Sequence, residues 1–309
     1  MSGQTVPAVA IAGLTRRFGK TVAVDALSLQ IERGEVFALA GPDGAGKTTL
    51  IRLICGALQA DAGSLVVDGV DAVANPARVQ AAVGYMPQRF SLYPDLTVAE
   101  NLRFYGNIFG VERGEFERRS AELLADFALS AFADRLAEAL SGGMKQKLAL
   151  ACALIHSPAT ILLDEPTAGV DPLSRREFWR ILYGINRRGT TIVVSTPYMD
   201  EAERATRTAF MTNGSILRCD TPAGLKRQLR GAVVEISCQQ RGDARRILHE
   251  DPLVRSVEVF GATLHALVAS ASAAIPEIGE RLRAHGVADA TLREILPSLE
   301  DALVEGLTA

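Results

Sequence analysis

Short runs of apolar residues alternate with longer stretches in which apolar residues recur every three or four positions. Val36-Phe37-Ala38-Leu39-Ala40 is apolar throughout and too short for a helix, which predicts a buried strand. Thr48 to Ala57 follows with Leu50, Leu53, Ile54 and Ala57 on one helical face. A second strand group is expected around Ser64 to Val70. From about Gln88 to Ile155 the pattern is helical, with Leu123, Leu124, Phe127 and Leu129 among its apolar positions. Ile161-Leu162-Leu163 and Ile192-Val193-Val194 then restore the strand pattern, and the α/β core runs on to about Thr212.

Beyond Pro222 the character changes. Val233 to Cys238 is strand-like and precedes a helical stretch, Asp243 to Glu250. Val254 to Phe260 and Thr263 to Val268 read as a hairpin turning at Gly261-Ala262. A helix over Ala274 to Ala284 puts Ile275, Ile278 and Leu282 in register, with Pro276 in its first turn, where proline is tolerated. Ala290 to Leu296 is a further strand, and Leu299 to Leu307 a last helix after Pro297. The order β-α-β-β-α-β predicts a small ferredoxin-like α+β domain. The expected division is therefore a core domain over 1–222, its helical lobe at about 88–155, and an accessory domain over 223–309.

Composition removes several functions from consideration. A net charge of −3 and a sequence pI of about 5.9 give no electrostatic support for nucleic-acid binding. No apolar stretch reaches the ~18 residues of a membrane span, and no basic-then-apolar segment suggests a signal peptide. Cys55, Cys152, Cys219 and Cys238 lack C-x-x-C spacing, which suits reduced thiols rather than disulfides or zinc.

Two glycine-rich segments and a carboxylate pair carry candidate chemistry. Gly41-Pro42-Asp43-Gly44-Ala45-Gly46-Lys47-Thr48 fits the phosphate-binding template G-x-x-x-x-G-K-[ST], with a strand before it and a helix after. Glycines let backbone N–H groups turn toward phosphate oxygens, and the helix presents the positive end of its dipole. Lys47 would bridge phosphates and the Thr48 hydroxyl would ligate Mg²⁺. Asp164 and Glu165 emerge at the carboxyl end of the Ile161–Leu163 strand, where open α/β sheets bind ligands. Asp164 there can hold Mg²⁺, and Glu165 can polarise an attacking water. The second segment is Leu140-Ser141-Gly142-Gly143-Met144-Lys145-Gln146. Ser141 can cap the helix expected over Met144 to Ile155, and the two glycines leave an approaching phosphate unobstructed.

With these residues in this order, the chain resembles the ATP-binding subunit of an ABC transporter from about Val9 to about Lys226. Phe18, in Arg16-Arg17-Phe18-Gly19, matches the aromatic on which adenine stacks in that family. Gln88 matches the glutamine that senses Mg²⁺ and the γ-phosphate, and Asp171, in Ala168-Gly169-Val170-Asp171, matches the D-loop. The resemblance implies a P-loop ABC ATPase fold with a helical signature lobe, binding ATP and Mg²⁺. It implies nucleotide contacts from Phe18, Gly41, Pro42, Asp43, Gly44, Ala45, Gly46, Lys47, Thr48, Thr49 and Asp171. Ser141, Gly142 and Gly143 would meet the nucleotide of the opposite subunit in a two-fold dimer. Thr48, Gln88 and Asp164 are the implied metal residues, and Glu165, Lys47 and Gln88 the catalytic ones. The C-terminal extension is similar to those of daunorubicin-resistance-type drug exporters. Integral membrane permease subunits are the implied partners, with the chain peripheral at the cytoplasmic face of the cell membrane.

One departure stands out. The family has a histidine after the strand that follows the D-loop, contacting the γ-phosphate; here Ile192-Val193-Val194-Ser195-Thr196-Pro197-Tyr198 puts Pro197 in its place. Proline offers neither an imidazole nor an N–H. Together with Asp43 and Met144-Lys145-Gln146-Lys147, this resembles the N-terminal ATPase half of tandem-ATPase multidrug exporters. The expectation is slow hydrolysis, in a homodimer or in a heterodimer with a second ATPase. The alternatives are an ATP-gated regulatory subunit paired with a more active ATPase, and a soluble ABC ATPase acting on ribosomes or DNA. Lys47 and Ser141 lie too close in sequence for the long coiled coil some DNA-acting members carry.

Overall fold

The computed structural model describes residues 6–89 and 92–308. It opens on a hairpin of β1 (Val9–Phe18) and β2 (Thr21–Ile31), with Phe18 opposite Thr21 at the turn. After β3 (Val36–Ala40) and α1 (Lys47–Ile54) come β4 (Ala62–Val67) and β5 (Val70–Asp71). Asp68 and Gly69 between β4 and β5 both take positive φ, as a two-residue I′ hairpin turn requires. These outer strands form an antiparallel sheet of order β2-β1-β4-β5.

α1 ends before the expected Ala57. Gly56 sits at φ 72°, and a Cβ there would lie 2.8 Å from the Pro76 carbonyl oxygen, so the chain turns out of the helix at a position only glycine fits.

α2 (Pro76–Ala82) leads into β6 (Gly84–Met86). Then the helical lobe follows: α3 (Val98–Ile108), α4 (Arg113–Asp126) and α5 (Gly142–Leu154). A capping box opens α3: Thr97 Oγ1 accepts from Glu100 N, and Glu100 Oε2 accepts from Thr97 N. The buried Asn101 amide donates to the carbonyls of Tyr93, Leu96 and Thr97, pinning the approach to that helix. The stretch between α4 and α5 contains only two single 3₁₀ turns, so the lobe is less continuously helical than the periodicity indicates.

The chain re-enters the core at β7 (Thr160–Asp164), α6 (Pro172–Asn186), β8 (Thr191–Thr196), the short α7 (Met199–Ala202), β9 (Arg207–Thr212) and β10 (Ser215–Asp220). The central sheet has the order β10-β9-β3-β8-β7-β6, and β6, β7, β8, β3 and β9 are mutually parallel. β3, β7 and β8 are buried along their whole length, which accounts for the apolar runs Val36–Ala40, Ile161-Leu162-Leu163 and Ile192-Val193-Val194 within them. Parallel packing gathers the carboxyl ends of β3, β7 and β8 on one side, and the Gly41 to Thr48 loop and the Asp164-Glu165 pair lead off from there.

Contacts divide the chain into two compact units, Met1–Glu201 with Ala205–Ile216, and Ala202–Arg204 with Leu217–Ala309. The division thus falls inside β10 rather than at residue 222, because α8 (Pro222–Arg227) packs with the last helix of the second unit. That unit continues with β11 (Ala232–Ser237), α9 (Arg241–His249), β12 (Val254–Phe260), β13 (Thr263–Val268), α10 (Ala271–Ala284), β14 (Thr291–Ile295) and α11 (Leu299–Thr308). Its antiparallel sheet, ordered β12-β13-β11-β14, has the ferredoxin-like arrangement. α9 and α10 cover one face through Leu248, Ile278 and Leu282 packed on Val234, Ile236 and Ala266. α10 begins at Ala271, and Pro276 therefore lies inside it rather than in its first turn. Burial of Ala271 and Ala274 extends the helix toward its N-terminus and outweighs the one backbone hydrogen bond that Pro276 cannot donate.

Candidate nucleotide site

The loop between β3 and α1 bends sharply over the sheet edge. Gly46, at φ 104°, sits against the Ala23 carbonyl oxygen with no room for a Cβ, so the loop holds its shape only with glycine there. The loop borders a cleft of about 470 Å³ lined by Asp43 to Thr49, Thr21 to Ala23, Gln88 and Glu165. Lys47 is almost fully buried; its Nζ donates to the carbonyls of Gly41 at 2.8 Å and Pro42 at 2.9 Å and lies 3.8 Å from Glu165 Oε1. An ammonium held only by two neutral carbonyls and one carboxylate is poised for an anionic ligand.

At the end of β7, Asp164 is fully buried. Its Oδ1 accepts from Thr48 Oγ1 at 3.0 Å and from Ser195 Oγ at 2.6 Å, while its Oδ2 is buried with no hydrogen-bond partner among the described residues. A buried, unsatisfied carboxylate oxygen beside a threonine hydroxyl fits Mg²⁺, a hard cation that takes one or two protein oxygens and completes its shell with phosphate and water. Among the described residues no group of three His, Cys, Asp or Glu side chains could hold a metal without such help. Glu165 lies beyond, at φ 47°, a strained conformation for a residue with a side chain. Burial pushes its carboxyl above the usual range, opposed by the Lys47 charge, reinforced by Asp164 and Asp43, and opposed again by a hydrogen bond from Gln88. In that bond Gln88 Nε2 donates to Glu165 Oε2 at 2.8 Å, so the amide meets the proposed base directly.

A family model described as ABC transporter matches residues 24–168. A daunorubicin resistance ATP-binding protein of Streptomyces coeruleorubidus is 33% identical over 98% of this chain and 95% of that protein. The chain belongs to the ABC transporter ATP-binding family. The Escherichia coli (strain K12) protein named "Probable multidrug ABC transporter ATP-binding protein YbhF" is 38% identical over 96% of this chain; the chain spans about half of it, 51%. Among solved structures, the ATP-binding subunit of an ABC transporter aligns over 72% of this chain and 92% of its own, at TM-score 0.65 and 29% identity. A dimeric ATP-binding cassette in a post-hydrolysis state, bound to ADP and Pi, aligns at TM-score 0.62 and 27% identity, over 69% of this chain and 98% of its own.

The other residues read as part of this ABC site lie outside the cleft lining. Phe18 is half-exposed at the end of β1, with the Arg16 guanidinium 4.8 Å above its ring; Thr21, its partner across the turn, does line the cleft. Ser141 caps α5, its Oγ accepting from Met144 N at 3.3 Å, and the helix starts at Gly142 rather than Met144. Ser141 and Gly142 are exposed, leaving that helix end open. Asp171 caps α6 by accepting from Leu173 N and Ser174 N, and the Ser174 hydrogen bond lowers its carboxyl below the usual range.

Two buried polar side chains escaped the motif reading. Ser195 bonds both Asp164 and the backbone N–H of Glu165, the latter at 3.0 Å. Glu201, fully buried, accepts from Thr196 Oγ1 at 2.8 Å and from Thr167 Oγ1, and sits 3.3 Å from Arg175 Nε. Polar residues at the end of an otherwise apolar strand were the available signal. Pro197 follows Thr196 directly, and proline carries no hydrogen-bond donor.

Proposed function

We propose that this chain is the ATP-binding and ATP-hydrolysing subunit of an exporter of drugs or other hydrophobic compounds, powering a separate membrane permease from the cytoplasmic face. What supports the reading is the convergence of Lys47, Thr48, Glu165 and Gln88 on one cleft, with buried Asp164 bonded to Thr48 behind it and the capped start of α5 left open on a separate lobe. The names of the relatives point the same way, toward multidrug and daunorubicin resistance. Among the described residues no helix is long and apolar enough to cross a membrane.

In this reading Lys47 exchanges its two loop carbonyls for β- and γ-phosphate oxygens. Thr48 and Asp164 would hold Mg²⁺, which would supply positive charge against that developing on the phosphates. Glu165 orients and deprotonates water, and Gln88 holds Glu165 in place. A second subunit brings its Ser141, Gly142 and Gly143 to the exposed side of the nucleotide, adding the dipole of α5. The permease docks on an apolar cleft of about 600 Å³ lined by Met86, Pro87, Leu92, Tyr105, Phe109 and Ala149. Leu92 brings the Gln88 to Leu96 stretch to this cleft; Phe90 and Ser91 of that stretch lie outside the described residues.

Pro197 favours a second reading, an ATP-gated subunit in which binding rather than turnover is the signal and a more active ATPase is the partner. Losing one preorganised transition-state donor costs about 10²–10³ in rate. Steady-state hydrolysis of the isolated protein is therefore expected to be slow, and to rise by up to a comparable factor in Pro197→His. Full turnover of the unmodified protein with no gain in the variant would contradict the role given to Pro197.

A further inference from the structure

We propose that Ser195 is a positioning residue that sets Asp164 and Glu165 at once, making the metal affinity of the site depend on one buried hydroxyl. The proposal rests on the reading of Asp164 as a metal residue and of Glu165 as the base.

Ser195 is fully buried on β8, in register beside Asp164 of the neighbouring parallel strand β7. Its hydroxyl has one proton and gives it to Asp164 Oδ1 at 2.6 Å. Its lone pairs then accept from the Glu165 N–H at 3.0 Å, which also reaches the Ser195 carbonyl oxygen at 3.1 Å. The two bonds do different work. The first fixes the rotation of the Asp164 carboxylate: with Oδ1 anchored, Oδ2 is the oxygen left without a protein partner. Thr48 Oγ1 also donates to Oδ1, at 3.0 Å, and its lone pairs stay available to the metal. Ser195 has no duty at the metal and makes the shorter of the two bonds. The second bond holds Glu165 at φ 47°, a backbone state that needs compensation to be populated. Alanine at this position would leave Oδ1 held by the longer Thr48 bond alone and remove one of the two acceptors holding the strained N–H. Hydrogen bonds of this kind behind a metal ligand are worth about 10–100-fold in metal affinity.

The test is Mn²⁺ binding to the full chain loaded with a non-hydrolysable ATP analogue, followed by loss of the free-Mn²⁺ paramagnetic resonance signal. Ser195→Ala is expected to weaken Mn²⁺ by about 10–100-fold, while metal-free nucleotide affinity stays unchanged and kcat falls with little change in KM. Ser195→Thr, which keeps the hydroxyl, is expected to restore Mn²⁺ affinity. Asp164→Asn serves as the reference. Loss of Mn²⁺ binding in Asp164→Asn with unchanged binding in Ser195→Ala overturns the proposal and leaves the site reading intact. Unchanged Mn²⁺ binding in Asp164→Asn itself overturns the site reading. Lower thermal stability of Ser195→Ala with unaltered Mn²⁺ affinity would assign the hydroxyl to folding alone, and the proposal fails.

Discussion

The ferredoxin-like unit and the nucleotide cleft bury the same kinds of charged residue and treat them in opposite ways. In the ferredoxin-like unit the buried carboxylates are matched by partners: Asp251 faces Arg281 at 3.0 Å, Glu305 faces Arg218 at 2.6 Å, and Asp301 receives Ser298 N, Ser298 Oγ and His265 Nδ1. In the nucleotide unit, Asp164 keeps one oxygen unpaired, Lys47 settles for loop carbonyls, and Glu165 sits in a strained conformation with its carboxyl pushed upward. Burial of charge without full compensation costs stability. It is tolerable where a ligand supplies the missing partner, and that difference separates a site from a scaffold.

Substitution can break the comparison. Lys47→Ala is expected to abolish ATP hydrolysis, a loss of at least about 10²–10³ in kcat/KM, with little loss of stability because no fully formed ion pair is destroyed. Asp301→Ala should do the reverse. It strips three hydrogen bonds from the start of α11 and is expected to cost about 3 kcal/mol in chemical denaturation, with ATP affinity of the nucleotide unit unchanged. Equal loss of stability in both variants would erase the distinction.

A pH profile sharpens it further. Glu165 must be ionised to accept a proton from water, and its carboxyl lies above the usual range. Turnover should therefore fall on acidification at a higher pH than an ordinary carboxylate would give, and be restored as pH rises. The same upward displacement means that the ionised carboxylate disfavours the folded state relative to the unfolded one, so this group's contribution to stability is most favourable at low pH and is lost as pH rises through its folded-state value. A smaller effect is expected at the cleft's rim: Phe18→Ala removes a stacking surface worth about 0.5–1.5 kcal/mol, a few-fold rise in KM for ATP with kcat unchanged.

How much of this was legible in the sequence depended on whether the deciding interaction was local. The β3-loop-α1 segment and the Asp164-Glu165 pair could be read because spacing along the chain fixes their geometry. The ferredoxin-like order could be read because each strand and helix announces itself by its own period. Ser195 and Glu201 could not, since their partners come from β7, from the turn after it and from α6, which only the folded sheet brings alongside. Helix ends were missed for the same reason. Gly56 ends α1 because Pro76 crowds it, and α10 starts early because Ala271 and Ala274 find cover in the core of the second unit. The division inside β10 depended on where α8 packs, which no local pattern records.

The central claim is that nucleotide is enclosed between Lys47 of one copy and the Ser141 helix start of another subunit. Sedimentation of Glu165→Gln saturated with ATP and Mg²⁺, in the presence of its membrane partner, tests it most directly. Nucleotide-dependent pairing of ATP-binding subunits is expected, abolished by adding Ser141→Arg. A single ATP-binding subunit persisting at saturation, or pairing indifferent to Ser141→Arg, would contradict it.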